Sequence, residues 1–138
     1  MKIAIINGPN LNLLGTREPG VYGKETFEAY LQNLRSTYPN IEFPYFQSNV
    51  EGELINQIQL EGFAADGIIL NPGGYTHTSV SIGDAIAAVV TPVIEVHISN
   101  IFGREEFRKI SYVSAKAAGV ISGLGLKGYE LAVQYFLA

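Results

Sequence analysis

The sequence has no cysteine and no tryptophan, one methionine, two histidines and four arginines. Without cysteine there is no disulfide scaffold, no thiol nucleophile and no zinc–thiolate site. Charge is scarce as well. Charged residues are 16% of the 138 positions, against 47% hydrophobic, which is rich in apolar and poor in charge beside ordinary globular usage. That balance excludes disorder and fits either surface hidden in an oligomer or an unusually buried sheet. The charge leans acidic, 13 Asp and Glu against 9 Lys and Arg for a net −4, so the electrostatic footprint of a nucleic-acid binder is missing. No run of about 18 apolar residues occurs, so no membrane span is expected. The apolar stretch at 3–6 is too short for a signal-peptide core. One cytoplasmic domain covering residues 1–138 is the expectation.

Extended and helical patterns alternate five times. Residues 2–7 form a short apolar run closed by Asn7-Gly-Pro, which reads as a buried strand. Phe27, Tyr30, Leu31, Leu34 and Tyr38 follow at helical spacing, with Thr26 as N-cap and Pro39-Asn40 as the stop. Residues 41–47 alternate as a strand, and Pro44 within it marks a sheet edge. A helix carrying Leu54, Ile55, Ile58 and Phe63 comes next. Strands are expected at 67–71, 93–97 and 119–123, with helices at 79–90 and 126–137. Strands separated by helices imply right-handed crossovers and a parallel sheet. Their lack of in–out alternation implies helices on both faces. The predicted fold is α/β, a flavodoxin-like three-layer arrangement of five parallel strands in order 2-1-3-4-5.

In such a sheet ligands bind beyond the carboxyl ends of the strands, near the switch in strand order. The unusual polar residues gather there. The first strand runs into Asn7-Gly-Pro-Asn-Leu-Asn and on past Arg17 to Tyr22, the third into Asn71-Pro-Gly-Gly-Tyr-Thr-His77, and the fourth ends Glu95-Val-His97-Ile-Ser-Asn100. Asn71-Pro-Gly-Gly before a helix is either an anion-binding turn or a tight connection needing positive φ. It matches neither the Walker nor the dinucleotide pattern. Glu95 and His97 lie two apart on a strand and so share a face. A carboxylate-backed imidazole suits general acid–base catalysis. A strand-end histidine satisfied locally, or a metal site completed by His77, are the alternatives. Arg17, Arg104 and Arg108 fall in irregular stretches, and the last two would share a face if their segment were helical. From composition and spacing the reading stops at a site for a polar small molecule with an acid–base pair. A non-catalytic ligand-binding module and a metal-dependent hydrolase stay open beside it.

At these residues the sequence resembles the type II 3-dehydroquinate dehydratases of the shikimate pathway. The resemblance rests on Asn7-Gly-Pro-Asn-Leu-Asn-Leu-Leu-Gly-Thr-Arg-Glu-Pro19 through Tyr22-Gly23, then Gln47-Ser-Asn49 and Glu51-Gly-Glu53. It continues in Asn71-Pro-Gly-Gly-Tyr-Thr-His-Thr-Ser79, Glu95-Val-His-Ile-Ser-Asn100, Arg104-Glu-Glu-Phe-Arg108 and Gly123-Leu-Gly-Leu-Lys-Gly-Tyr129. It runs from end to end. Val50 stands where the family usually has histidine, and Phe102 and Ile110 lie where histidines are frequent. The resemblance implies conversion of 3-dehydroquinate to 3-dehydroshikimate and water. It implies Tyr22 as the base at carbon 2, helped by Arg17 and Arg104. Asn10 would hold a water at the enolate oxygen, and His97, oriented by Glu95, would protonate the departing hydroxyl. Asn71, Ser99 and the Ile98 amide would bind substrate, with His77 and Arg108 alongside. Asp84 would reach into a neighbouring subunit of a dodecamer built from four trimers. No metal or organic cofactor and no lysine Schiff base are implied.

Elementary electrostatics allows a tyrosinate base. Ionising a phenol of pKa about 10 at pH 7 costs roughly 4 kcal/mol. One guanidinium about 4 Å away at an effective dielectric near 20 returns roughly 4 kcal/mol, which gives a pair of arginines a purpose.

Overall fold

The computed structural model describes residues 1–16, 20 and 24–138. Five parallel strands, β1 (Ile3–Asn7), β2 (Tyr45–Gln47), β3 (Gly67–Asn71), β4 (Val93–His97) and β5 (Gly119–Ser122), form one sheet. Their order is β2-β1-β3-β4-β5, as the sequence predicts. Every residue of β1, β3 and β4 is buried, which is why these strands read as unbroken apolar runs.

Successive side chains still leave the sheet on opposite faces, and the helices divide accordingly. On one face Ile3, Ile5, Ile69, Ile94 and Val96 pack with Phe27, Leu31 and Leu34 of α1 (Phe27–Thr37) and with Tyr129, Ala132 and Val133 of α4 (Lys127–Leu137). On the other face Ala4, Ile6, Ile68, Leu70 and Val93 pack with Leu54 and Ile58 of α2 (Glu51–Glu61) and with Ile82, Ala85 and Ile86 of α3 (Val80–Ala88). The parity fixes the site before any loop is considered: Asn7 and Asn71 end their strands on the α1/α4 face, Glu95 and His97 on the α2/α3 face.

Local chemistry sets the boundaries. Thr26 caps α1 by accepting from the Ala29 amide at 3.2 Å, and Ser79 caps α3 by accepting from Ile82 at 2.9 Å. The second strand is shorter than the alternation at 41–47 predicts. Only Tyr45 to Gln47 pair continuously with β1, with an isolated bridge between Lys2 and Glu42. Pro44 has no N–H for the ladder, though its carbonyl still accepts from Ile5 at 2.9 Å. Helix α3 stops at Ala88 rather than 90, because the Val90 and Thr91 amides turn to the Gly62 carbonyl. Strand β5 ends at Ser122, one residue earlier than predicted, where Gly123 takes φ +90°. At the strand-order switch the loops after β1 and β3 touch. A Cβ on Gly8 would lie 2.6 Å from the Pro72 carbonyl oxygen, so only glycine lets them meet.

Candidate active site

A cleft opens where the chains leaving β1, β3 and β4 converge. Asn10 lines it after β1, Asn71, Gly73 and His77 after β3, and His97, Ile98 and Ser99 at the end of β4. Arg104 and Arg108 close its outer side. Among the described residues, every position the sequence reading placed in the site lines this cleft except Glu95, which lies behind His97, and Asp84. The latter is exposed on α3 beside Ser81, Ala85 and Ala88. Arg17 and Tyr22 lie outside the described residues.

Glu95 has no exposed surface. His97 Nε2 bonds to its Oε2. A carboxylate only accepts, so Nε2 carries the hydrogen and Nδ1 is the nitrogen left for the cleft. Thr76 Oγ1 donates to the same Oε2 at 2.6 Å, and Ser114 Oγ donates to Oε1 at 2.7 Å. Burial pushes the Glu95 carboxyl up. The bonds from His97, Thr76 and Ser114, with the charge of His97, outweigh burial and hold it below the ordinary carboxylate value.

His77 Nδ1 bonds to the Ile110 carbonyl at 2.7 Å, so this nitrogen is the protonated one and Nε2 is the acceptor. Burial is the leading cause that moves the ring below its ordinary value, with the charges of His97 and Arg108 acting the same way. The backbone carbonyl does the holding, so isoleucine at 110 serves. Val50 is exposed at the start of α2, and Phe102 is exposed too, outside the cleft lining.

Asn10 is the one non-glycine residue with positive φ among the described residues, at 71°. Asparagine tolerates that region better than most residues. Its backbone amide donates to Asn49 Oδ1 at 3.0 Å, and Gln47 Nε2 donates to the Gly8 carbonyl at 3.1 Å. Gln47-Ser-Asn49 therefore clamps the loop that presents Asn10. Asn71 is held from behind. Its Nδ2 donates to Tyr129 Oη at 2.9 Å, the Gly73 amide donates to its Oδ1 at 3.1 Å, and Tyr129 donates in turn to Asn7 Oδ1 at 2.8 Å. The second amide hydrogen is what Asn71 has left to offer the cleft.

Arg104 and Arg108 do not share a helix. Arg104 follows the 3-10 turn Ile101–Gly103 and Arg108 lies in the turn Glu106–Lys109. Arg104 Nη1 donates to Ser99 Oγ at 3.2 Å, and Arg108 Nε donates to the Glu105 carboxylate at 3.1 Å. Two guanidinium groups and two buried or half-buried imidazoles line one cleft, a setting for an anionic, hydroxylated ligand. Among the described residues no three of His, Asp and Glu converge as metal ligands do.

A model of the family described as dehydroquinase class II matches residues 1–137. The chain belongs to that family. It is an enzyme of the hydro-lyase type. It is 54% identical to a 3-dehydroquinate dehydratase of Fusobacterium nucleatum over 99% of this chain and 97% of that protein. It is 55% identical to one from Polynucleobacter asymbioticus, covering 99% and 93%. The crystal structure of a type II dehydroquinase from Butyrivibrio crossotus superposes with TM-score 0.94 at 50% identity, covering 100% of this chain and 98% of that one. The flavodoxin-like sheet is thus the family's own.

Sequence reading did not single out Thr76, Ser111, Ser114 or Tyr129 for the site. The first and last lie inside quoted motifs, but serine and threonine in loops read as turn formers. Tyr129 reads as core because it falls on an amphipathic helix.

Proposed function

We propose that this chain, residues 1–138 acting as one catalytic domain, converts 3-dehydroquinate to 3-dehydroshikimate by anti elimination of water through an enolate, in the shikimate pathway to chorismate and aromatic amino acids. The observation that carries the reading is the buried Glu95–His97 pair, presented with Nδ1 toward a cleft flanked by Arg104 and Arg108, in a chain of this family.

The chemistry needs three groups. A base removes the proton on carbon 2, beside the ketone, and the C–H electron pair moves toward the carbonyl oxygen. Tyr22, as its anion, takes that role with Arg17 and Arg104 supplying positive charge. A donor must then meet the growing oxyanion, since losing such a donor costs about 2.7–4 kcal/mol in typical cases. A water held by Asn10 serves. Last, the enolate collapses, the bond from carbon 1 to its hydroxyl breaks, and His97 Nδ1 delivers a proton so that water leaves. Tyr22 ends protonated and His97 neutral, and proton exchange with solvent resets both. Asn71, His77, Ser99, the Ile98 amide and Arg108 bind the carboxylate and hydroxyls of the substrate. No cofactor enters these steps.

Asp84 does not reach the cleft of its own chain, which supports a role in a neighbouring subunit of a trimer, with four trimers forming a dodecamer. A cytoplasmic location accords with the pathway. No described helix is long and apolar enough to cross a membrane.

The product is a conjugated enone acid. Adding 3-dehydroquinate to the protein with a chelator present should raise ultraviolet absorbance with time. A flat trace, or a rise abolished by the chelator, would refute the reading. In the same assay Tyr22→Phe should lose several powers of ten in turnover and keep most of its substrate affinity.

A further inference from the structure

Glu95 is completely buried, and a carboxylate so placed takes up a proton unless its surroundings supply hydrogen bonds. The bonds here run in one direction. The Val113 and Ser114 amides donate to Ser111 Oγ at 3.1 and 3.0 Å. Ser111 and Thr76 hydroxyls lie 2.7 Å apart. Thr76 gives its single hydrogen to Glu95 at 2.6 Å, so Ser111 must be the donor in that pair. Ser114 supplies the other carboxylate oxygen at 2.7 Å. A proton on Glu95 has an acceptor only on the side facing His97. Toward Thr76 it would have to reverse the chain of donors, and toward Ser114 it would have to turn that hydroxyl away.

We propose that Thr76, Ser111 and Ser114 are positioning residues that hold Glu95 as a carboxylate, so that the proton between Glu95 and His97 resides on the imidazole that uses it. The proposal rests on His97 being the acid of the elimination. Three parts of the fold cooperate in it: the turn after β3 brings Thr76, β4 brings Glu95 and His97, and the segment 111–114 closes over both. The same segment is tied to that turn by the Tyr112 amide donating to the Thr76 carbonyl at 2.8 Å. Among the described residues, the other titratable groups nearby are His77, on the same turn, and Arg104 and Arg108, which line the same cleft. Tyr112 on the closing segment and Lys116 just after it are exposed, as is Asp84 on α3.

The titration of the Glu95 carboxyl, followed by carbon-13 NMR of glutamate-labelled protein and assigned with Glu95→Gln, separates this role from a merely structural one. It reads Glu95 itself, whereas the acid limb of kcat would also follow the ionisation of Tyr22. Deleting one donor makes the ionised carboxylate less favourable. In Ser114→Ala and Thr76→Val the Glu95 midpoint should therefore move upward by about one pH unit, and kcat should fall as the shared proton spends more time on Glu95, with KM in place. Thr76→Ser, which keeps the hydroxyl, should return the midpoint to its wild-type position. Ser114 is half-buried at the start of a 3-10 turn, so its variant carries the test should Thr76→Val not fold. A midpoint unmoved in Ser114→Ala, whatever happens to kcat, would overturn the proposal. So would a Thr76→Ser midpoint no lower than that of Thr76→Val. Near-normal turnover by His97→Ala would instead overturn the assignment of the acid. A required His97 with an unmoved Glu95 midpoint in Ser114→Ala defeats the hydroxyl proposal alone.

Discussion

Burial and hydrogen bonding compete at Glu95, and the bonds from His97, Thr76 and Ser114 leave its carboxyl below the ordinary 4.5. A group lowered in this way stabilises the fold above its unfolded value, and the contribution is lost as pH falls from there through the folded value. His77 acts in the same direction from a different cause. Burial holds its ring below the ordinary 6.5, so on acidification the unfolded chain takes up that proton first and stability declines below pH 6.5. Melting temperature measured from pH 8 to 3 should therefore fall gradually below 6.5 and further below 4.5. The variant His77→Gln should flatten the first part, and an unchanged curve in that variant would contradict the burial account. The pairing of Glu95 with His97 was legible in the sequence because strand parity fixes it. The hydroxyls were not, since Thr76, Ser111 and Ser114 come from segments whose meeting depends on how the chain crosses the sheet.

Helix α4 does more than cover the sheet. Its Tyr129 is wholly buried and joins the ends of β1 and β3 by bonding Asn7 at 2.8 Å and Asn71 at 2.9 Å. Tyr129→Phe leaves an asparagine carbonyl and an asparagine N–H without this partner, at a cost of about 1–3 kcal/mol. It should also raise KM more than it lowers kcat, because Asn71 loses its support; denaturant unfolding and steady-state kinetics on one preparation check both, and an unchanged KM would sever α4 from the site. Thr26→Ala should cost about 1 kcal/mol of stability through the lost cap, with kinetics unaltered. Elements were the most legible level. The fully buried strands β3 and β4 fall where apolar runs and flanking turn residues put them. The second strand is shorter than its alternation implies because Ile41, Phe43 and Tyr45 report burial, whereas pairing also needs the N–H that Pro44 lacks. The ends of α3 and β5 depended on bonds to Gly62 and on a positive φ at Gly123, neither visible as periodicity.

At the scale of the molecule, doubly wound connectivity sends the ends of β1, β3 and β4 to one edge, and the parity of each strand divides the labour there. Asparagines supported by Tyr129 come from one face, the Glu95–His97 pair from the other. Asp84 is the exception, exposed on α3 away from the cleft. If it serves a neighbouring subunit, mixing and reassembling Asp84→Ala with Tyr22→Phe protein should restore a fraction of the activity both lack, and no recovery after verified subunit exchange would leave Asp84 with a local role. The proposed mechanism rests on base and acid being separate groups acting in sequence, with His97 needed only for departure of the hydroxyl. It is tested most directly by incubating His97→Ala with 3-dehydroquinate in deuterated water and following carbon 2 by NMR beside enone absorbance. Deuterium should enter carbon 2 while enone formation falls by orders of magnitude. Wild-type enone formation, or no deuterium entering at all, would contradict it.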